Sequence, residues 1–261
     1  MTGVEGRRAL VTGAGSEEGI GFATALILAR QGARVAITST TRRIFDRLDE
    51  LPRDSGHVAF VADLAHAKAA GQLVARATKA LGGIDILVNN AGMVQTGVAH
   101  RSRHLHLISD AEWARSLELN LNIAFRTTRA VLAQMMRRRY GRIVHISSIT
   151  GPLVSNPRSA GYSAGKAGMT GMMRALALEV AARGITVNSV GPGWVATASQ
   201  TPSEVVAGRH TPIRRSARPA EVGHVAAFLA SEEASYVTGQ LIVVDGGNSI
   251  QENKGPQKGY Y

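Results

Sequence analysis

Seven short apolar runs alternate with stretches of helical character along this chain, and that alternation restricts the folds open to it more than any other feature. The runs span residues 9–12, 34–38, 58–62, 86–89, 142–147, 186–190 and 240–244. They are rich in apolar residues, and the first and fourth read as buried strands. Strands separated by helical crossovers predict an α/β fold, a doubly wound parallel sheet of seven strands flanked by helices. A length of 261 residues with 44% hydrophobic content suits one such Rossmann-type domain over residues 1–250. Residues 251–261 form a polar tail with two glycines and Pro256. That tail is expected to be loose or draped over a neighbouring subunit.

The first run, Arg8-Ala9-Leu10-Val11-Thr12-Gly13, leads into Ala14-Gly15-Ser16-Glu17-Glu18-Gly19-Ile20-Gly21 and then an amphipathic helix over 22–31. A strand, a glycine-rich turn and a helix N-terminus together cradle a pyrophosphate with backbone N–H groups and the helix dipole. Gly13 permits the tight turn, Gly19 lets the backbone approach phosphates, and Gly21 lets helix and strand pack closely. An ordinary strand–helix connection uses glycine too, so this motif needs support from the rest of the chain.

Two later strands end in polar residues. Asp85-Ile86-Leu87-Val88 runs into Asn89-Asn90-Ala91-Gly92, and Arg142-Ile143-Val144-His145-Ile146 runs into Ser147-Ser148. Strand carboxyl ends face the ligand crevice of an open α/β sheet. There asparagine amides can brace the neighbouring strand, Gly92 leaves room for a ribose, and Ser148 can hold a substrate oxygen. A plain turn after a strand also accounts for the asparagines. Fourteen positions beyond Ser148, Tyr162 and Lys166 stand four apart at the head of a small-residue helix over 167–182. Such residues share a helix face. A neighbouring ammonium is expected to lower the phenol's pKa, so that it exchanges a proton with an alcohol or carbonyl oxygen near neutral pH. Many surface pairs on helices share this spacing, and the ordered company of the other motifs gives it weight.

Taken together these residues resemble the short-chain dehydrogenase/reductase family, in the subgroup of about this chain's length, from Gly6 to Gly247. The resemblance implies a catalytic set of Asn120, Ser148, Tyr162 and Lys166. It implies cofactor contacts from Gly13, Gly15, Ser16, Gly19 and Ile20 in the phosphate loop, Asp63 and Leu64 at the adenine, and Asn90, Ala91 and Gly92. Pro192, Gly193, Val195 and Thr197 would face the nicotinamide, and Tyr162 and Lys166 its ribose. Asn120 would hold a water that links Lys166 to solvent, a role compatible with a kinked helix. The family is usually tetrameric. Within it the chain is most similar to β-ketoacyl-acyl-carrier-protein reductases, whose entrance arginines match Arg139 and Arg183 and would meet an acidic carrier protein.

The end of the second strand reads Thr38-Ser39-Thr40-Thr41-Arg42-Arg43, with hydroxyls and arginines and no carboxylate. An acidic side chain there selects NAD. NADP(H) is therefore expected, read through Thr40 and Arg42, with NAD(H) the alternative. Glu18, immediately before Gly19, runs against that preference unless the loop turns it to solvent. Two loops depart from the reductase pattern. Residues 93–110 are longer than usual and carry His100, Arg101, Arg103, His104 and His106, while the lid region 198–211 is shorter. The pairing suggests a substrate other than a long acyl chain, in a pocket walled by Met93, Leu153, Val154 and Trp194.

The chain has no cysteine, which removes disulfides and thiolate chemistry. It has no apolar run of membrane-spanning length and no signal-like N-terminus, so a cytoplasmic protein with no membrane partner is expected. The formal net charge of +11 is scattered in short arginine clusters without interleaved aromatic platforms, so no nucleic-acid partner is expected. The histidines of the long loop lack a carboxylate set, and no metal is expected. Three functions fit: an NADP-dependent oxidoreductase of a ketone or secondary alcohol, a β-ketoacyl thioester reductase, and a non-catalytic cofactor-sensing regulator. Retention of the whole proton-transfer set argues against the last.

Overall fold

The computed structural model describes residues 3–53, 55–92 and 103–252. Met93 and most of the basic loop, with all but the start of the tail, lie outside the described residues. Seven strands form one parallel sheet: β1 (Arg8–Val11), β2 (Arg34–Ser39), β3 (Val58–Val61), β4 (Ile86–Asn89), β5 (Gly141–Ile146), β6 (Ile185–Pro192) and β7 (Leu241–Val244). Their order is β3-β2-β1-β4-β5-β6-β7. Chain order reverses between β1 and β4, so the crevice beyond their carboxyl ends is the topological switch point where such sheets take ligands.

The central strands are mainly apolar because they feed two cores. Val11, Ile37, Val88, Val144 and Val190 join a cluster with α1 (Ile20–Arg30) and α8 (Pro219–Leu229). Leu10, Ala36, Leu87, Ile143 and Val187, one residue out of phase, join a second cluster with α3 (Ala69–Leu81), α5 (Ile123–Arg138) and α6 (Ala160–Val180). The short α2 (Ile44–Asp49) follows β2, α4 (Asp110–Leu117) precedes α5, and α7 (Pro202–Arg209) follows β6. All seven expected strands are present, with ends displaced by one or two residues. The ladder rather than apolarity sets those ends: Ser147 N still donates to Val190 O at 2.8 Å beyond the last residue of β5.

Helix α1 begins two residues earlier than the amphipathic pattern indicates, and α6 also begins ahead of Tyr162. The predicted last turn of α6 tightens into a 3-10 turn, Ala181–Arg183, and stops at Gly184 in left-handed geometry. Between α4 and α5 the chain forms a π-helical turn, Glu118–Asn122. This is the kink expected at Asn120, and π-turns carry one extra residue per turn at functional positions.

The glycine-rich connection holds β1 against α1. Gly13 has a positive φ of 69°. A Cβ on Gly21 would clash with the Asn90 amide and lie 2.6 Å from Gly13 O. Gly21→Ala should therefore destabilise the fold by about 1–3 kcal/mol through overpacking. A lowered urea midpoint at unchanged slope would show it, whereas an unchanged midpoint would mean the turn has slack.

Candidate active site

The crevice at the switch point gathers eight of the residues expected to hold a nucleotide. Gly13, Gly15, Thr40, Asp63, Leu64, Asn90, Ala91 and Gly92 line it together, joined by Thr38, Ser39, Arg43, Leu119 and Ile123. Thr12 and Asn90 join its two halves. The Thr12 hydroxyl accepts from the N–H groups of Asn90 at 3.1 Å and Ala91 at 3.0 Å. In return the Asn90 amide donates to Gly13 O at 2.9 Å, the bracing expected of it. Gly92 is required on different grounds from the expected ribose clearance, since a Cβ there would lie 2.5 Å from Leu119 O. Ser16, Gly19 and Ile20 stand at the head of α1, whose N-cap, Gly19, supplies no side-chain acceptor. The first N–H groups of α1 thus keep their capacity for an anion.

The arginine facing this crevice is Arg43, and the expectation for Arg42 is corrected. Arg43 lines the cleft, with its Nε 2.9 Å from where a Cβ of Gly15 would stand. Arg42 instead lies over the Phe45 ring, 5.4 Å from its centroid. Helix α2 begins immediately afterwards, and in its helical backbone neighbouring side chains are about 100° apart. The acidic loop is also accounted for: Glu17 pairs with Arg47 at 3.3 Å, and Glu18 is exposed.

Beyond the crevice, β5 and α6 bring Ser148, Tyr162 and Lys166 together beside Asn120. Lys166 is buried, and its Nζ donates to Ile146 O at 2.9 Å while lying 5.7 Å from the centroid of the Tyr162 ring. Burial pulls the ammonium's pKa down to about 8. The tyrosine departs from expectation. Burial raises its pKa, the Ser148 hydrogen bond opposes that rise, and the Glu204 carboxylate adds to it. Lys166 does not reverse the balance in the protein alone, so the phenol keeps its proton at neutral pH. Asn120 donates to Ser116 O at 3.0 Å, while its Oδ1 is buried with no partner among the described residues. A Cβ on Gly165, one residue before Lys166, would lie 2.7 Å from Asn120 Cβ, so the π-turn presses directly on α6.

The remaining expected residues surround this set. Pro192 and Gly193 end β6 against β7, Gly193 N donating to Val244 O at 3.0 Å. Val195 and Thr197 close a tight turn, with Thr197 N donating to Val195 O at 2.8 Å. Trp194 is tied through its carbonyl to Ala217 N at 2.9 Å. Leu153 is 54% exposed, and Val154 bridges to Thr150. In the described part of the basic loop, His104 Nε2 accepts from Arg158 Nε at 3.3 Å. Arg139 and Arg183 sit together just before β5 and β6, Arg139 donating to Ala182 O at 2.9 Å. That is the edge of the sheet opposite the crevice, so within one chain they do not flank its entrance. Glu204 escaped the sequence reading although its signal was legible. Thr201-Pro202-Ser203-Glu204 is a capping box, with Thr201 N donating to Glu204 Oε2 at 2.7 Å, and it starts the lid helix α7.

A family profile described as enoyl-(acyl carrier protein) reductase matches residues 13–249. The 3-oxoacyl-[acyl-carrier-protein] reductase FabG of Vibrio cholerae is 37% identical, covering 94% of this chain and 98% of its own. The chain belongs to the short-chain dehydrogenase/reductase family. Nodulation protein G of Rhizobium sp. (strain N33) is 42% identical over 95% of this chain and 98% of that relative. Oxidoreductase UcpA of Escherichia coli (strain K12) is 37% identical over 97% of this chain and 98% of its own. Among solved structures, a short-chain alcohol dehydrogenase candidate from Sinorhizobium meliloti 1021 superposes with TM-score 0.85 at 35% identity, covering 94% of this chain and 97% of that one. A mutant short-chain dehydrogenase/reductase of Serratia marcescens superposes with TM-score 0.84 at 30% identity, covering 94% and 99%. This short-chain dehydrogenase/reductase is accordingly an oxidoreductase, of a family that binds a nicotinamide cofactor.

The crevice fits such a cofactor. Side chains are excluded at Gly13, Gly21 and Gly92, where a Cβ would meet backbone, and that leaves N–H groups to face a pyrophosphate. Two predictions follow from the electrostatics. Glu204→Gln keeps the capping box and removes the charge, so the Tyr162 phenol should ionise at lower pH. An NMR titration of the tyrosine ring carbons reads this directly, and no movement would separate the lid from the phenol. Lys166→Met should abolish turnover and stabilise the protein. The drop of the ammonium from 10.5 to about 8 corresponds to a burial cost on the order of 3 kcal/mol. Below about pH 8 both folded and unfolded chains hold the proton and that cost is fully present. As pH rises from about 8 to 10.5, the folded chain releases its proton first, so wild-type stability climbs with pH. The variant's thermal midpoint should be higher at pH 7, with this rise absent.

Proposed function

We propose that this chain is an NADP(H)-dependent oxidoreductase that interconverts a ketone and a secondary alcohol, with Tyr162 as general acid and base. The observation that carries the reading is the meeting of Ser148, Tyr162, Lys166 and Asn120 at the carboxyl ends of β4 and β5, beside the glycine cradle. When bound, the cofactor supplies or accepts the hydride. Gly13, Gly15, Ser16, Gly19 and Ile20 would hold its pyrophosphate, Asp63 and Leu64 its adenine, and Asn90, Ala91 and Gly92 the adjoining ribose. Pro192, Gly193, Val195 and Thr197 would hold the nicotinamide end. In reduction, Tyr162 donates the phenolic proton to the substrate oxygen, which suits a phenol kept neutral by burial. Ser148 orients that oxygen through its hydroxyl. Lys166 stabilises the tyrosinate that remains, and its ammonium returns the proton. Asn120 Oδ1, buried and without a partner among the described residues, suits a water on the way to Lys166.

Preference for NADP(H) is supported by Arg43 and Thr40 in the crevice, where no carboxylate occupies the end of β2. Phe125 on α5 and Leu178 on α6 are 42% and 86% exposed, as helix faces paired between subunits would be, and we read the working form as a homotetramer. Residues 1–250 serve in this reading as one catalytic unit. Reduction of β-ketoacyl thioesters is the second reading, favoured by the name of the Vibrio cholerae relative. An acyl-carrier-protein partner would need a neighbouring subunit to bring Arg139 and Arg183 to the mouth. Free ketones remain the first reading.

The test follows oxidation of reduced nicotinamide with a panel of free ketones and β-ketoacyl thioesters. Turnover of ketones, lost in Tyr162→Phe with cofactor binding intact, is the expected result. Loss of binding and turnover together would remove the assigned role. Arg43→Ala should weaken NADPH binding by about 10- to 100-fold, as for loss of a charged hydrogen bond. NADH binding should hardly change. Equal weakening of both would mean that Arg43 does not read the 2′-phosphate.

A further inference from the structure

Three neighbouring strands place a polar side chain at one level on one face of the sheet. Asn89 is opposite His145 across the pairing of β4 and β5, and His145 is opposite Ser189 across that of β5 and β6. Exposures of Asn89, His145 and Ser189 are 2%, 0% and 0%. Two residues back on the same face, the corresponding row is Leu87, Ile143 and Val187, all apolar, as doubly covered parallel strands ordinarily are. The polar row is therefore a local exception to the composition of its own strands.

Its hydrogen bonding is half complete. The Asn89 amide donates to Thr128 Oγ1 on α5 at 2.9 Å and lies 3.1 Å from His145 Nδ1. With Nδ1 accepting, the ring proton sits on Nε2. That Nε2, Asn89 Oδ1 and Ser189 Oγ are all buried with no partner among the described residues. They comprise one donor, one acceptor and one hydroxyl that does either. Native interiors rarely leave such groups unmet, and an internal water takes two to four partners of this kind.

Helix α6 lies across the row at Lys166. The Lys166 ammonium donates to the carbonyl of Ile146, next to His145 in the chain, and Ser147 Oγ donates to Lys166 O at 3.2 Å. An ammonium has three N–H donors, and the Ile146 carbonyl accounts for one. Burial first, and then the Lys166 charge, pull the imidazole down to about 4, so it stays neutral wherever the protein works. The titratable groups bearing on Lys166 are His145 from β5 and Tyr162 on its own helix, with Glu204 of α7 acting on Tyr162.

We infer that Asn89, His145 and Ser189 form a built site for internal water beneath Lys166, and that His145 acts through it as a positioning residue for the ammonium. The inference rests on the reading of Lys166 as the partner of Tyr162. A neutral imidazole suits this place for two reasons. It offers a fixed N–H that no pH change in the working range removes, and it adds no second positive charge. Water bonded between it and Ser189 presents an oxygen lone pair to an N–H of Lys166. That fixes the ammonium's direction without neutralising it, and leaves its remaining reach for the crevice.

The test uses the full chain in three variants, His145→Leu, His145→Gln and Ser189→Ala. The first readout is the NMR titration of Lys166 in the cofactor-free protein, which needs no activity. Wild-type Lys166 should titrate near 8. With its water partner gone, the ammonium in His145→Leu should titrate lower by at least half a pH unit, and His145→Gln, which keeps an N–H donor, should restore most of the shift. The second readout is turnover against pH. The inflection assigned to the Tyr162–Lys166 pair should move with the lysine, and turnover should fall about tenfold at unchanged KM for the cofactor. Should His145→Leu fail to fold, Ser189→Ala removes a single oxygen and should give the same shift at reduced size. An unmoved Lys166 titration in the folded variants overturns the inference, even where stability changes. If instead Tyr162→Phe retains turnover, the proposed function fails, while the lysine titration still decides the water site.

Discussion

The burial of one ammonium organises this protein. Lys166 sits on a helix that crosses the sheet at the carboxyl ends of its central strands, and a backbone carbonyl of β5 accepts a hydrogen bond from it. Everything around it is arranged so that the charge can be kept there. Glycines at 161, 165 and 168 let α6 settle against α4 and the π-turn. Hydroxyls of Ser147 and Thr170 bond to its backbone. A buried charge of this kind is unfavourable unless it is hydrogen-bonded, so holding it in the core costs the fold stability.

The same balance explains the tyrosine. Sequence spacing correctly put Lys166 beside Tyr162, and a cation beside a phenol lowers its pKa when both face water. The folded protein adds desolvation, which acts on each group separately: the ammonium becomes easier to deprotonate, and the phenol harder. The two therefore move apart in acidity and the ammonium becomes the stronger acid, so a proton would pass from Lys166 to a tyrosinate downhill.

What was legible in the sequence follows from what is local. All seven strands could be read, because strands covered by helices are rich in apolar residues and the helices between them carry their own period. Gly13, Gly21 and Asn90 could be read because close approach and bracing demand particular residue types. The neighbours Arg42 and Arg43 could not be told apart, since the direction of each depends on where α2 begins, and helix ends are set by backbone bonding rather than by composition. The row from Asn89 through His145 to Ser189 was invisible for a related reason. Its members lie on three strands far apart in the chain, and only the register joins them. Glu204 was legible as a cap, but its bearing on Tyr162 arises from the fold.

The π-turn at Glu118–Asn122 has a consequence for the history of this helix. A π-turn is an α-helix that has absorbed one additional residue, and each residue advances a helix by about 100°. Helix α4 and helix α5 are thus out of phase by one step, and the buried face of α5, with Ala124, Thr128, Val131 and Met135, is aligned to the sheet only because of that step. Loss of any one residue between Glu118 and Asn122 would straighten the rod, rotate Asn120 away from α6 and turn the whole of α5 against its core. The length of this segment is fixed: the site and the packing of a sixteen-residue helix are locked to the same count.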